Sequence, residues 1–365
     1  MQYNKTIYAP FVRKDDSTSK VMTDVILALL PCVVMSYLAF GYVPLMVVLV
    51  AVGSALVTEF IFSAIFFKQT DSVSDGSAII TGLLLAFTIA PFTPLHIVAF
   101  GGAMAVLFGK LLWGGLGRNI FNPALVGREF MTVFFPVVMT SRTIWYDKTA
   151  VNLQEINIFG DNFFNELFFR ASGAIGEYSI FFLVLGGLFL LLKRRISWHI
   201  PFALLVAFTA LLFIFSGYNI QFSLGGLLLG AIFMATDMPS SASTSNGKLY
   251  YGAMIGVVAV ICILNDVRYE YMSYSILLLN AFTKPIDWVF RPKVWGQKLD
   301  IMTRLWQALS VTGGIVMVAF AVIYIHHLGG IMYLVFIYIA FCIVWFIAKE
   351  MRNIEVILTF SNRKK

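Results

Sequence analysis

Four polar side chains, Lys110, Arg118, Asn119 and Asn122, crowd into one stretch (GKLLWGGLGRNIFNPALVG, 109–127) between two long apolar runs. At membrane depth, polar and irregular chain is tolerated only where protein buries it or where it lines a cavity. Intramembrane charge is a functional-site hypothesis by default. Each carboxamide offers donor and acceptor atoms, as the edge of a heterocycle requires. The two asparagines, three residues apart, share a face if the turn is helical. The glycines let a flat ligand or a second helix approach the backbone closely, and spacing alone leaves both readings open. Intramembrane acids form the second set: Glu59 deep in an apolar run, Glu129 just after the Asn-Pro step, and Asp237 before a Ser/Thr-rich turn. Asp237 with Thr236 supplies hard oxygen ligands of the kind Na⁺ needs; a plain helix-end contact on a solvated loop is the other reading. Asp24, Asp71 and Asp75 sit at helix boundaries, where capping accounts for them.

Other chemistries lack their residues. There is no Ser/His/Asp order, no HExxH and no phosphate loop. The histidines, His96, His199, His326 and His327, fall near the ends of apolar runs, where a polar ring tip reaches water; haem ligation would need two buried and facing. Cys32, Cys262 and Cys342 are far apart inside apolar runs. Without a CxxC spacing, an iron–sulfur cluster or zinc held by this chain alone is not expected, and the cysteines read as small buried hydrophobes.

The elements that must position these groups are membrane helices. Hydrophobic residues make up 59% of the chain and charged residues 12%, with a mean hydropathy of +0.85; this is a polytopic membrane protein in contact with the lipid bilayer. The net charge of +7 lies in clusters between apolar runs, which reads as cytoplasmic loop bias and not as a nucleic-acid surface. No cleaved signal peptide is expected, because a polar N-terminal segment leads straight into a first helix. Spans are predicted at 24–40, 44–66, 77–92, 95–113, 122–140, 178–192, 199–216, 222–237, 249–264, 271–289, 305–325 and 331–348. Lys68, Lys110, Lys193 to Arg195, Arg291 to Arg304 and the basic tail then fall on one side, so both termini are cytoplasmic.

A weak internal repeat is visible. Gly82-Leu83-Leu84-Leu85 leads to Pro91 and Pro94, as Gly226-Leu227-Leu228-Leu229 leads to Pro239; Gly109-Lys110-Leu111 recurs as Gly247-Lys248-Leu249. Two five-helix halves with broken third and eighth helices, inverted by their odd helix count, would make a transporter-like scaffold.

The 109–127 stretch resembles its counterpart in the D subunit of the Rnf electron-transport complex and the B subunit of the sodium-pumping NADH:quinone oxidoreductase. Collinear segments resemble the same family: SKVMTDVILALLP (19–31), GSAIITGLLLAFTIA (76–90), FPVVMTS (135–141), GAIGEYS (173–179), WHIP (198–201), ATDMPSSASTSN (235–246) and PIDWVFRPKVWG (285–296). The resemblance covers roughly residues 15 to 297. It implies an all-α polytopic fold of two inverted five-helix repeats, similar to urea transporters, with a C-terminal hairpin appended. It also implies an FMN esterified to a threonine in the external loop. Here that loop reads WYDKTAVNL (145–153), without the family's Ala-Thr-Pro-Leu core, and Thr149 is the nearest acceptor. A second, non-covalent flavin (riboflavin in the sodium-pumping relatives) is associated with the Asn-x-x-Asn-Pro stretch, here intact as Asn119, Asn122 and Pro123. Arg118 stands where relatives often carry a neutral amide, and its charge would favour a reduced, anionic flavin. Asp237 matches the family's Thr-Asp-Pro motif, and with Glu59 marks a Na⁺ path.

The resulting expectation is a membrane subunit of a redox-driven Na⁺ or H⁺ pump in the bacterial cytoplasmic membrane. Other membrane and peripheral subunits would hold the iron–sulfur and nicotinamide chemistry. The chain divides into a cytoplasmic segment (1–23), a first repeat (24–140), an external loop (141–177), a second repeat (178–297) and a C-terminal extension (298–365). A flavin-free channel or transporter, or a structural anchor, on the same scaffold are the competing readings.

Overall fold

The computed structural model describes residues 17–68, 71–145, 173–218, 222–267, 269–292 and 300–362. Among them every regular element is helical. The principal helices are α1 (Thr18–Phe40), α2 (Tyr42–Phe62), α3 (Ser77–Phe87), α4 (Leu95–Val106), α5 (Pro123–Phe134) and α6 (Ile180–Leu192). They continue with α7 (His199–Ile214), α8 (Leu224–Leu229), α9 (Ser245–Leu264), α10 (Tyr271–Ala281), α11 (Ile301–His327) and α12 (Ile331–Asn362). Five of these segments are long and apolar enough to cross a membrane: 18–40, 42–67, 245–264, 301–327 and 331–351. The chain is therefore a multi-pass membrane protein.

Helix starts follow local chemistry. Ser17 accepts from Lys20 N at 3.2 Å, Thr244 from Gly247 N at 3.1 Å and Asp300 from Thr303 N at 3.3 Å, each satisfying an amide that has no partner within its helix. Asp24 departs from the capping expectation. It lies inside α1, which begins at Thr18 and not at residue 24, and it accepts from Arg195 Nε at 2.7 Å. The ion pair ties the start of α1 to the turn after α6.

The third and eighth helices are shorter than the predicted spans, 77–92 and 222–237. The third stops at Phe87 instead of residue 92. Residues 88–94 form an irregular, mostly buried connection, because Pro91 and Pro94 supply no amide hydrogen. Its backbone is satisfied from outside: Ile175 N donates to Ile89 O at 3.1 Å and Phe92 N to Ile144 O at 3.1 Å. α8 is six residues long and runs into a π-turn, Gly230–Met234. A second π-turn, Leu107–Leu111, ends α4. The predicted tenth span breaks at Phe282 into α10 and a short piece, Thr283–Val289.

Packing relies on small residues. On α4, a side chain at Gly102 would meet the carbonyl of Ala51 and the hydroxyl of Ser54 on α2; on α9, one at Gly252 would meet the carbonyl of Ile200 on α7. Backbones that close leave no room for a Cβ, the usual means of tight helix contact in membranes. α2 with α4, and α7 with α9, are accordingly the most extensive helix pairs. Cys32, Cys262 and Cys342 are buried. The α11–α12 hairpin packs on α5 and the preceding loop through aromatic contacts, among them Phe134–Phe336 at 5.8 Å and Trp113–Tyr338 at 6.5 Å.

Candidate functional site

A cavity of about 430 Å³ opens where the starts of α1 and α3, the ends of α6 and α8 and the 116–124 loop converge. That volume is in the range of small-molecule sites. Lys110, Asn119, Asn122 and Asp237 all line it, together with Ser77, Thr81, Thr236 and Arg195. Residues predicted separately, from both halves of the chain, thus meet at one place.

Asn122 is largely committed to structure. Its Oδ1 accepts from Ala124 N at 3.0 Å and Leu125 N at 3.4 Å, capping α5, with Pro123 at the first helical position. Its Nδ2 donates to Met234 O at 3.2 Å, in the π-turn after α8. With the Asn280 carboxamide oxygen toward it, the Asn122 backbone N–H donates at 2.9 Å, while Asn280 Nδ2 donates to Ser240 O at 3.1 Å. Asn122 is therefore the joint between the halves. Asn119 instead addresses the acid: its Nδ2 donates to Asp237 Oδ2 at 3.2 Å and to Phe121 O at 3.4 Å. Ser240 Oγ donates to the same Asp237 oxygen at 2.6 Å. Thr236 Oγ1 donates to Ile232 O at 2.5 Å, which closes the frayed end of the π-turn.

Lys110 forms the opposite wall. Its ammonium, on the π-turn after α4, donates to Glu59 Oε1 at 2.7 Å and to Ser77 Oγ. Ser77 Oγ donates in turn to Asp75 Oδ1 at 2.5 Å. Glu59 is fully buried on α2 behind Lys110 and is not part of the cavity wall. A charge pair this deep persists only when each ion has its counter-ion and hydrogen bonds. Gly109, beside it, lies against Pro123; a Cβ there would stand 2.6 Å from Pro123 Cα, so this glycine serves helix packing.

Arg118 is exposed on the loop and does not line the cavity. Thr149 lies outside the described residues. The expected water contacts of the histidines hold only in part: His326 Nδ1 meets Tyr274 OH at 3.0 Å and His327 Nε2 meets Asn265 O at 2.9 Å. Among the described residues no three His, Cys, Asp or Glu side chains gather as a metal site would require.

No sequence motif points to Ser77, Thr81, Arg195 or Asn280. Ser77 and Arg195 meet their partners 33 and 171 positions away, and no local pattern signals such contacts.

The donor set suits an uncharged or anionic heterocycle better on one side than the other. Lys110, Thr81, Thr236 and the Asn119–Asp237 pair present polar groups to the cavity, whereas the Asn122 carboxamide is already occupied by three bonds.

A model of the NQR2, RnfD, RnfE family matches residues 5–296. The chain is similar to the D subunit of the proton-translocating ferredoxin:NAD(+) oxidoreductase complex of Clostridium ljungdahlii, with 35% identity over 327 residues covering 81% of this chain and 98% of the relative. The D subunit of the Na(+)-translocating ferredoxin:NAD(+) oxidoreductase complex of Acetobacterium woodii is 35% identical over 300 residues, 79% of this chain and 94% of its own. The D subunit of the ion-translocating oxidoreductase complex of Psychromonas ingrahamii is 32% identical over 346 residues, 80% and 98% respectively. α11 and α12 lie beyond the residues that the family model matches.

Proposed function

Because the chain belongs to the NQR2, RnfD, RnfE family, we propose that it is the membrane subunit of an ion-translocating redox complex, passing electrons through flavin and coupling them to Na⁺ or H⁺ movement. Its relatives are named as D subunits of such complexes. The observation that carries the reading is the convergence of Lys110, Asn119 and Asp237 on one cavity. Other subunits of the complex supply the iron–sulfur and nicotinamide chemistry. The complex sits in the bacterial cytoplasmic membrane, with both termini of this chain in the cytoplasm.

A non-covalent flavin, riboflavin or another, would donate to Asn119 Oδ1 and the Thr236 hydroxyl oxygen and accept from the remaining Lys110 N–H, while Asn122 holds the start of α5 against the π-turn after α8. Bound flavin supplies one- and two-electron redox chemistry; the chain's share is orientation and a low-polarity surround. A covalent FMN would sit on Thr149. Asp237, with its two donors, is the ion-path carboxylate next to this cavity, and the Glu59–Lys110 pair fixes the charge of the opposite wall.

The scaffold is that of two inverted five-helix repeats, 24–140 and 178–297, similar to urea transporters. The division is completed by the cytoplasmic segment 1–23, the external loop 141–177 and the extension 298–365. Matched pairing of α2 with α4 and of α7 with α9, the second and fourth helices of each half, supports it.

The test is denaturing gel electrophoresis of the purified protein with in-gel flavin fluorescence, peptide mass mapping of residues 141–170, and extraction of unbound flavin from the native protein. Flavin on the Thr149 peptide, or released from wild type and lost in Asn119→Ala, supports the electron-carrier role. Neither form of flavin, in a host that loads flavoproteins, refutes it and leaves an anchor or a flavin-free transporter.

A further inference from the structure

A second cavity, about 300 Å³ between α5, α10 and the α11–α12 hairpin, is walled almost wholly by hydrocarbon and offers a polar ligand nothing. The charge of the hairpin lies nearer the other end of α12. There Lys349 reaches the loop that follows the π-turn after α4, and its Nζ donates to Trp113 O at 3.4 Å. Gly114, at φ +112°, makes room for it: a Cβ there would stand 2.5 Å from Lys349 Nζ and 3.3 Å from Arg118 Nη1. The ammonium and the guanidinium are therefore no further apart than those two distances laid end to end. Among the described residues neither cation has a carboxylate within ion-pair distance, and Glu350, the next residue of α12, pairs with neither. The loop beneath them is firmly held. Trp113 is buried, and its Nε1 donates to Phe108 O at 3.1 Å and to Tyr338 OH on α12 at 3.2 Å. Trp345 and Phe341 precede Lys349 at steps of four along one face of α12 and are 48% and 53% exposed. Their rings lie 6.3 Å apart, and each approaches Trp113, at 6.3 and 6.1 Å.

Exposed aromatic carbon topped by cations is the arrangement of a helix end at the membrane–water interface. Two like charges this close repel each other, and most of their N–H groups have no acceptor on the chain. A phosphate answers both needs, with a negative charge and oxygens that accept charge-assisted hydrogen bonds. A zwitterionic headgroup would bring a further cation to a place that already holds two. A free phosphate would make no use of the aromatic face. We propose that this corner binds an anionic phospholipid, its phosphate held between Lys349 and Arg118 and an acyl chain lying along Trp345 and Phe341. Basic pockets between helices at headgroup level select such lipids by the same attraction. α12 lies beyond the stretch matched by the family model, so the site exists only where core and hairpin are joined. The proposal is independent of flavin at the first cavity.

The full chain, delipidated in detergent, is titrated with phosphatidylglycerol or with phosphatidylcholine of the same acyl chains, and bound lipid is counted by native mass spectrometry. Wild type is expected to hold one phosphatidylglycerol more tightly than any phosphatidylcholine. Lys349→Gln or Arg118→Gln should weaken that lipid about fivefold, and the two together about thirtyfold, from the attraction of one cation each. Lys349→Arg should retain it, which separates lost charge from lost fold. Lys248→Gln with Lys284→Gln removes the same charge elsewhere and should leave the tight lipid in place. Phe341→Ser with Trp345→Ser should weaken it, and inorganic phosphate in excess should not displace it from wild type. Displacement by inorganic phosphate, with no effect of the Phe341 and Trp345 changes, would make a free anion the ligand and overturn the proposal. Equal binding of the two lipids would overturn it too. So would equal losses in the Lys248 and Lys284 control and the Lys349 and Arg118 pair, which would leave only the general attraction of a basic protein for acidic lipid.

Discussion

At the residue scale, the first cavity separates groups that hold the structure from groups free to act. Lys110 and Glu59 are both buried at 2.7 Å. Removing one partner leaves an uncompensated charge, so Lys110→Met should lower stability by about 3–5 kcal/mol. The double variant Glu59→Met with Lys110→Met should recover most of that loss, because no charge is left behind. Thermal unfolding in detergent, followed with a thiol-reactive dye on the three buried cysteines, reads both; equal losses in single and double variants would show that packing, not charge, dominates. The asparagines should behave differently from each other. Asn122→Ala removes a cap and a bond to Met234 O at once, a loss of about 2–4 kcal/mol. Asn119→Ala removes one side-chain donor to Asp237 and a long bond to Phe121 O, about 1–2 kcal/mol, and its larger effect should be on flavin retention. The motif was legible in the sequence as a place where polar chain had to be buried. The roles of its two asparagines were not, because Asp237 and Met234 lie more than a hundred residues away.

At the scale of elements, the apolar runs gave the order of the longer helices, since a run of hydrophobic residues leaves little alternative to a helix in lipid, but among the described residues only five segments, not twelve, are long and apolar enough to cross a membrane. Their limits were harder. The chain between Thr88 and Pro94 is as apolar as a helix, and only the proline rings, the Ile144 carbonyl and the Ile175 amide decide that it is not one. The π-turns after α4 and α8 leave no mark in composition, for they depend on what the turn packs against. Small residues are equally ambiguous. Gly53 on α2 has open space around it, whereas Gly252 on α9 lies against the Ile200 carbonyl. Gly252→Val should therefore destabilise by about 1–3 kcal/mol or more through overpacking, while Gly53→Ala should stabilise by up to about 1 kcal/mol through helix propensity. The same dye-based melting curves compare them, and a tolerated Gly252→Val would mean that α7 and α9 part more easily than their contact suggests.

At the scale of the whole molecule, the question is which side of the membrane the first cavity faces. It collects the starts of α1 and α3 and the ends of α6 and α8, so its side is fixed once those ends are placed. The turn after α6 carries Lys193, Arg194 and Arg195, and two of these reach Asp24 at the start of α1. Cationic loops are retained in the cytoplasm, so the proposed orientation would put the cavity where a soluble electron donor could approach. The α11–α12 turn at Gly329 lies at the far end of a 27-residue helix, long enough to cross the bilayer at ~1.5 Å per residue. Ser17, Arg194 and Gly329 are all exposed, so cysteines can replace them one at a time. In sealed right-side-out vesicles, a membrane-impermeant maleimide should react with Gly329→Cys at once. It should reach Ser17→Cys and Arg194→Cys only after the vesicles are opened. Reaction of all three from one side would mean that the hairpin does not span. Reaction of Arg194→Cys from outside would turn the cavity toward the exterior and remove the route for a cytoplasmic donor, since the ion pairs to Asp24 carry α1 and the cavity wall with that turn.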